Sequence, residues 1–363
     1  MKQVEIYFDE PTHTYTDDEG NVYTSSTQMI GKISQPYDTQ YWAVYRILDE
    51  KRIKIIPRPD KRIIEIKDPR ALGEYRKFTI DELIGGELAF FLDDERTWNT
   101  IVKEWEHLAT VACDWGNDTH NYLEDTINSF YGQTTKDAEK FEGAMQLDAI
   151  KKLPNFKLKI TSIDELEKSP LKAMYTNIYN VLYSLVREGF ILYAEKRVYS
   201  YEHKVSGMID VLAVKGKEFY IVDWKTNKDP LKFEAGYYKK KWNDTRRRKV
   251  KTDEWVVKDD KFLFPLNHLP YCKGFVYTLQ LSLYAYICEL WGYKCKGLII
   301  CHIGNVEVID DDNNVKKTEK KPVIYNKIKY LKDDIKKLFD WHVLSKEDKA
   351  NLRPMPNGIR TLN

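Results

Sequence analysis

The feature that most constrains the fold is a pair of strands predicted at residues 205–226 and joined by a two-residue turn. Both arms are rich in apolar and β-branched residues, which favour extended backbone. Gly216 and Lys217 between the arms match a type II′ turn, in which glycine comes first and the turn follows the twist of the strands. Folding about this turn places Asp210 directly opposite Asp223.

Two opposed acids in a strand pair need a partner. Side chains alternate between the faces of a strand, so both aspartates share a face with Lys225 and with four apolar residues, Leu212, Val214, Phe219 and Ile221. Opposed side chains of like charge repel each other. A divalent cation between Asp210 and Asp223 would remove that repulsion, and Mg²⁺ prefers carboxylate oxygens. The alternative is an ordinary strand with one polar face, and the second aspartate on an apolar face argues against it.

Composition limits the cellular setting more than it limits the partners. The 363 residues carry a formal net charge of +2, so a site for a polyanion must be a local patch. The five cysteines show no C-x-x-C spacing, which is typical of a reducing compartment. The sequence shows neither a signal peptide nor an apolar run long enough to span a membrane. We therefore expect a soluble, cytoplasmic protein of a bacterium or of a phage-infected host cell.

The predicted organisation is an N-terminal accessory region over residues 1–102, a core over 103–343 on which it packs, and a tail over 344–363. In the accessory region we predict a small β unit at 4–30, which ends in a short helix with Ser26 as its N-cap, and mostly helical structure over 38–111. The core elements are predicted in the order helix 103–129, helix 172–188, strand 191–199, the hairpin, an irregular segment 227–271, helix 274–291, strand 297–302, a hairpin turning near 311–314, and helix 325–343. This order is typical of an α/β fold.

Two pairs of residues at helical spacing flank the hairpin, and each is a weak signal by itself. His120 and Glu124 are four residues apart, after Gly116. A lone histidine in such a place is more often a surface or packed residue than a ligand. Gln280 and Tyr284 have the same spacing on an apolar helix, where a single amide is also explained by a hydrogen bond to a neighbouring strand.

Taken in order, these motifs resemble the RecB-like branch of the PD-(D/E)XK nuclease superfamily over residues 116–301. The motifs are Gly116-x-x-x-His120, Glu195, Gly207-x-x-Asp210, Asp223-x-Lys225 and Gln280-x-x-x-Tyr284. The resemblance implies a restriction-endonuclease-like α/β core, which is a mixed central sheet flanked by helices, with an N-terminal β and helical extension and a C-terminal hairpin plus helix. The opening Thr12-His-x-Tyr15 looks like those of phage-encoded members.

The resemblance also implies a metal site. His120, Asp210 and Asp223 would bind Mg²⁺ or Mn²⁺, and the carbonyl of Trp224 would be a further ligand. Members that carry an iron–sulfur cluster use one upstream cysteine and a tight downstream trio. Here Cys113 lies upstream, but the downstream cysteines are spread over a predicted helix and strand, so we expect buried thiols and no cluster; they are Cys288, Cys295 and Cys301.

The remaining motif residues would act on the substrate. The resemblance implies that Lys225 positions the nucleophilic water, and that Gln280 and Tyr284 contact the substrate backbone and brace the site. Glu195 would be an auxiliary acid.

The segment 227–271 is a long insertion where the family usually has a short connection. It contains Lys239-Lys-Lys241 and Arg246-Arg-Arg-Lys249, interleaved with tyrosine and tryptophan. Phosphates attract Lys and Arg, and single-stranded bases stack on aromatic rings, so the insertion suits a DNA-tracking surface. The alternative is a solvated, partly disordered loop.

The expected function is that of a metal-dependent DNA nuclease that leaves a 5′-phosphate, as the resemblance implies. We expect an exonuclease in DNA recombination, repair or replication, whose partner is single- or double-stranded DNA with a free end. A structure-specific endonuclease that cuts flaps or junctions is the alternative enzyme, because the sequence does not say whether the flanking elements form a closed channel or an open groove. A non-catalytic nucleic-acid-binding protein is the alternative of another class, and the intact Asp210, Asp223 and Lys225 argue against it. No membrane partner is expected, and partner proteins are not identified by the sequence.

Overall fold

A computed structural model describes most of the chain. The described residues are 2–9, 12, 14–56, 58, 60–68, 70–88, 98–128, 159–169, 171–243, 248–309, 315–320, 323–344 and 348–349. In this part of the chain, no helix is both long enough and apolar enough to cross a membrane.

The strands and helices are numbered in chain order. The strands are β1 (Ile6–Asp9), β2 (Thr14–Asp17), β3 (Val22–Ser25), β4 (Ile55–Ile56), β5 (Ile63–Lys67), β6 (Tyr75–Thr79), β7 (Lys159–Ile160), β8 (Ile191–Ser200), β9 (Val205–Lys215), β10 (Glu218–Lys225), β11 (Gly236–Asn243), β12 (Arg248–Val257), β13 (Lys294–His302), β14 (Asn305–Ile309), β15 (Val315–Lys320) and β16 (Ile324–Ile328). The helices are α1 (Ser26–Gly31), α2 (Thr39–Glu50), α3 (Ile80–Glu82, continued by a π-helical turn Leu83–Glu87), α4 (Trp98–Asn128), α5 (Ile163–Glu167), α6 (Leu171–Met174), α7 (Thr176–Arg187), α8 (Lys273–Leu290) and α9 (Lys332–His342).

The chain divides into two units, each built from segments that are distant in sequence. The larger unit comprises residues 1–34, 116–235 and 258–363, and the smaller unit comprises 35–115 and 236–257. The predicted division at residue 102 into an accessory region and a core stays a prediction. Strands β11 and β12 belong to the smaller unit because Lys249 pairs with Asp49 at 2.5 Å, and sequence spacing gives no sign of such a long-range contact.

The larger unit is organised by one mixed sheet, with the strand order β1-β2-β3-β9-β10-β13-β16. β8 pairs with β9 and carries β7 on its other side. The pairs β3/β9 and β10/β13 are parallel, and the remaining pairs of this sheet are antiparallel. The sheet is therefore mixed, as expected.

Helices cover both faces of this sheet. On one face, Phe219 packs in a cluster with Leu283 of α8 and Leu338 of α9. On the other face, Trp224 packs in a cluster with Leu182 of α7. The prediction of an α/β fold with a mixed central sheet between helices is confirmed at this level.

Strand β9 forks the sheet. β8 runs along one edge of β9 from Val205 to Val214, so β3 and β10 must share the opposite edge. β3 pairs with β9 only as far as Ser206, and β10 pairs with it only from Val211 onward. The residues between these two pairings include Gly207 and Asp210, and their side of β9 opens into the fork.

Two predictions at the chain ends need correction. The N-cap of α1 is Ser25, whose side chain accepts a hydrogen bond from the backbone N–H of Gln28 while the Gln28 side chain accepts one from the Ser25 N–H. Ser26, predicted as the cap, is buried. The helix predicted at 325–343 begins only at Lys332, because β16 pairs with β13 in the main sheet. The second predicted hairpin is β14–β15, whose turn lies outside the described residues.

The smaller unit has its own hydrophobic core, in which Leu48 of α2 packs with Ile64 of β5 and Phe78 of β6. Strands β4, β5 and β6 form an antiparallel sheet. The prediction of mostly helical structure over 38–111 is wrong for this part. The isoleucine-rich stretch between the prolines favours strand, and pairing with two neighbours fixes it as the central strand.

The smaller unit also contains an antiparallel hairpin, β11–β12, which we call the basic hairpin (residues 236–257). The prediction of an irregular segment over 227–271 is wrong for these strands. Their tyrosine and tryptophan residues are good strand formers, and Tyr238 meets Trp255 across the hairpin with ring centroids 4.9 Å apart. Residues 244–247 at the turn lie outside the described part.

Candidate functional site

The predicted register of the β9–β10 hairpin is confirmed. Val214 lies opposite Phe219, and Gly216 adopts φ +60° in the turn, as the first residue of a type II′ turn must. The ladder ends one residue before the two aspartates. At that point the backbone N–H of Trp224 donates a 2.7 Å hydrogen bond to Oδ2 of Asp210. The end of the ladder therefore fixes the Asp210 carboxylate through a backbone donor of the neighbouring strand.

Glu195 interrupts β8 directly across from Asp210. Its φ of +45° is a left-handed conformation that costs a residue other than glycine on the order of 1 kcal/mol. Ile209 and Leu212, three residues apart on the facing strand, pack in one hydrophobic cluster, although a regular strand would put them on opposite faces. The faces of the sheet therefore exchange at this kink, and strict alternation does not extend through Asp210.

Three potential ligands converge at the kink. One nitrogen of His120 and one carboxylate oxygen each from Glu195 and Asp210 all lie within 4.8 Å of one another. His120 Nδ1 is 3.6 Å from Asp210 Oδ2. Asp210 is buried, and the other two side chains are partly exposed. This group could hold a metal ion.

Helix α4 brings His120 to the group by a close approach to the end of β10. A Cβ atom added at Gly116 would lie 3.1 Å from Oγ1 of Thr226, the residue after Lys225. That distance is tighter than most side chains tolerate, so glycine lets the helix backbone reach the strand end. His120 follows one turn later on the same helix.

Asp223 and Lys225 form a buried ion pair beside this group, with Lys225 Nζ 2.6 Å from Asp223 Oδ2. Burial and the neighbouring Asp210 raise the pKa of Asp223 to about 7, although Lys225 opposes the shift. Burial lowers the pKa of Lys225, but the attraction of Asp223 and Asp210 outweighs it and the pKa is raised. The sequence predicted an ion between Asp210 and Asp223. In the structure Asp223 pairs with Lys225, and the three converging potential ligands include Glu195 instead of Asp223.

Acidic side chains are concentrated around the group. Burial raises the pKa of Glu195 well above its ordinary value, and the carboxylates of Asp210, Glu124 and Asp223 raise it further. A nearby cation would stabilise the ionised form of such carboxyl groups, which burial and neighbouring carboxylates disfavour. The donor set of two carboxylates and one imidazole could hold a metal ion.

Gln280 and Tyr284 of α8 form a hydrogen-bonded chain with the N-terminal helix. Gln280 Nε2 donates to the Tyr284 hydroxyl at 3.0 Å, and that hydroxyl lies 2.9 Å from Oγ of Ser26. A Cβ atom at Gly207 would come within 2.3 Å of the Tyr284 ring, so only glycine fits there. Burial raises the pKa of Tyr284, which keeps the hydroxyl protonated as a donor.

Two residues of the site were missed from the sequence. Ser26 was expected to cap a helix, and its bond to Tyr284 joins positions 258 residues apart, for which no local pattern exists. Glu124 was noted only for its spacing from His120, yet it is buried and acts electrostatically on Glu195. The spacing of four residues between His120 and Glu124, which puts both on one side of α4, was the signal that could have identified Glu124. The predicted role of the Trp224 carbonyl stays a prediction.

Comparisons with known proteins identify no relative: no protein-family model matches the chain, and neither the curated proteins nor the solved structures contain a significant match. The function is therefore argued from the residues of the site.

Proposed function

We propose that this chain is a metal-dependent DNA nuclease of the RecB-like PD-(D/E)XK type. The observation that carries the proposal is the convergence of His120, Glu195 and Asp210 within 4.8 Å, beside the buried Asp223–Lys225 ion pair. A strained, acidic cluster with one buried lysine is costly to fold and is typical of a site that uses its charge.

The order of elements supports the same assignment. A helix, three antiparallel strands, a helix and a parallel strand occur in this order along the chain as α4, β8, β9, β10, α8 and β13, with β7 and α5–α7 before β8 and the basic hairpin before α8. Each contributes at the position that the resemblance implies: His120 from α4, Glu195 from β8, Asp210 from β9, Asp223 and Lys225 from β10, and Gln280 and Tyr284 from α8.

The residues divide the work of phosphodiester hydrolysis. His120, Glu195 and Asp210 would hold Mg²⁺ or Mn²⁺, with Asp223 adjacent. When bound, such an ion lowers the pKa of water and neutralises charge on a phosphate. Lys225 is a buried cation that orients the attacking water or stabilises the charge that develops on the phosphate oxygens. Gln280 and Tyr284 brace the site through their mutual hydrogen bond and the bond from Tyr284 to Ser26.

The test is a cleavage assay on end-labelled linear and circular DNA, single- and double-stranded, with Mg²⁺, Mn²⁺ or EDTA. We expect metal-dependent cleavage that leaves 5′-phosphates and that stops in EDTA. Asp223→Asn and Lys225→Ala should each lower the rate by on the order of 100-fold or more. Cleavage of linear DNA with circles spared would indicate an exonuclease, and cleavage of circles a structure-specific endonuclease.

The matched control is Glu218→Gln, which lies on β10 with Asp223 but at its far end, paired with Lys296 at the surface. It should cut as the wild type does. Metal binding has its own readout: Mg²⁺ or Mn²⁺ should raise the thermal midpoint of the wild type and of Glu218→Gln, but not that of Asp210→Asn. Survival of every DNA with both metals, or full activity in Asp223→Asn, would contradict the proposal.

A further inference from the structure

The basic hairpin holds more positive charge than the whole chain. The described strands of the hairpin, residues 236–243 and 248–257, contain six Lys or Arg and two Asp or Glu, while the entire chain has a net charge of +2. The rest of the molecule is therefore slightly acidic, and the hairpin is a local patch of the kind that attracts polyanions.

The register of the hairpin places its cations in a repulsive arrangement. Lys240 lies directly opposite Lys251, and both are exposed. Like charges in directly opposed positions destabilise a strand pair. On the same strand pair, Lys239 has an acidic partner in Glu254 at 2.8 Å. An anion bound across the two opposed lysines, Lys240 and Lys251, would relieve the repulsion between them.

Two aromatic rings of the hairpin contact cations. Lys251 Nζ lies 3.8 Å from the centre of the Tyr238 ring, and the same ring packs edge-on against Trp255. Arg52 lies 4.1 Å above the ring of Trp242, near the turn end of the hairpin. Such cation–ring contacts are favourable at exposed sites. They favour positions of Lys251 and Arg52 against the aromatic rings of the hairpin.

The dimensions of the ribbon fit a nucleic-acid backbone. Eight residues of β11 extend over about 26 Å. Each strand of duplex DNA carries one phosphate per about 3.4 Å of helix axis, so the ribbon is as long as roughly seven base-pair steps and can reach several phosphates.

We propose that the basic hairpin binds the phosphate backbone of DNA, without a metal ion and without base specificity. The choice of DNA among polyanions rests on the proposed function, whereas the charge, register and packing are independent of it. Lys240 and Lys251 together contact phosphates, and Lys241 on the opposite face adds a further exposed cation.

The test measures binding of labelled single- and double-stranded DNA by fluorescence anisotropy in EDTA, at several salt concentrations. Lys240→Ala/Lys251→Ala should weaken binding on the order of tenfold near physiological salt. The slope of log affinity against log salt should fall by about 1.8 for duplex and about 1.4 for single strands, since each lost phosphate contact removes about 0.9 or 0.7. A larger loss with one of the two DNAs identifies the preferred form.

The matched control is Lys327→Ala/Lys336→Ala, which removes the same charge from exposed positions of β16 and α9. It should keep both the affinity and the salt slope of the wild type. An unchanged slope in the hairpin variant, or an equal fall in the control, would overturn the proposal. Thermal unfolding confirms that both variants are folded. Asp223→Asn separates this proposal from the nuclease proposal, because it should still bind DNA in EDTA whether or not the wild type cuts DNA.

Discussion

Gly207 shows how one absent methyl group shapes the site. A Cβ atom there would lie 2.3 Å from Cε1 of Tyr284, far inside contact distance. We predict that Gly207→Ala destabilises the protein by about 1–3 kcal/mol, because the ring must move in a packed interior. Urea unfolding followed by circular dichroism measures this. Gly31→Ala is the matched control: it has open space around its Cβ position and lies at the end of a helix, so it should be neutral or slightly stabilising.

The hydrogen bond between Ser26 and Tyr284 is the second prediction at the residue scale. The two side chains are buried and 2.9 Å apart, so removing one leaves the other without this partner. We predict that Ser26→Ala and Tyr284→Phe each destabilise, and that the double variant loses about 1 kcal/mol less than the sum.

The control for this cycle is the neighbouring Ser25. Its side chain caps α1, so Ser25→Ala should also cost about 1 kcal/mol, but its effect should add to that of Tyr284→Phe without coupling. If the effects of Ser26→Ala and Tyr284→Phe simply add, or if both serines couple equally to Tyr284, the hydrogen bond between Ser26 and Tyr284 does not contribute to stability.

At the scale of elements, the sequence was most informative where a regular pattern determines the structure. The register of β9 with β10 followed from alternation and from the turn at Gly216 alone. The kink at Glu195 could not be predicted in this way, because a left-handed glutamate has no local signature and is held by the strand across from it. The group that could hold a metal ion was accordingly predicted with Asp223 as a ligand, whereas the kink brings Glu195 beside His120 and Asp210.

Elements whose identity depends on distant partners were the ones predicted least well. The stretch at β5 has few residues and lies between prolines, and only its pairing with β4 and β6 makes it a strand. The same holds for β16, whose residues resemble the start of a helix until β13 pairs with them. Intrinsic propensity is a weak prior that tertiary context overrides.

At the scale of the whole molecule, His342 is a buried histidine of the larger unit that links its stability to pH. His342 closes α9, whose Leu338 and Phe339 are part of the main core. Burial lowers the pKa of His342 to about 4, and the nearby cations Lys32, Lys349 and His203 lower it further. The folded protein therefore resists protonation of a side chain that the unfolded chain protonates near pH 6.5.

The sign of the effect follows from this difference. Above pH 6.5 His342 is neutral in both the folded and the unfolded chain, so the free energy of unfolding is not reduced. As the pH falls towards 4, only the unfolded chain takes up the proton, and the free energy of unfolding decreases progressively. Between pH 7 and pH 5 we predict that the wild type loses about 2 kcal/mol more unfolding free energy than His342→Leu does. Urea unfolding at both pH values measures the difference. His107→Leu, which removes an exposed histidine of the smaller unit, should lose stability in parallel with the wild type. If His342→Leu does so as well, the buried imidazole is not what makes the larger unit sensitive to acid.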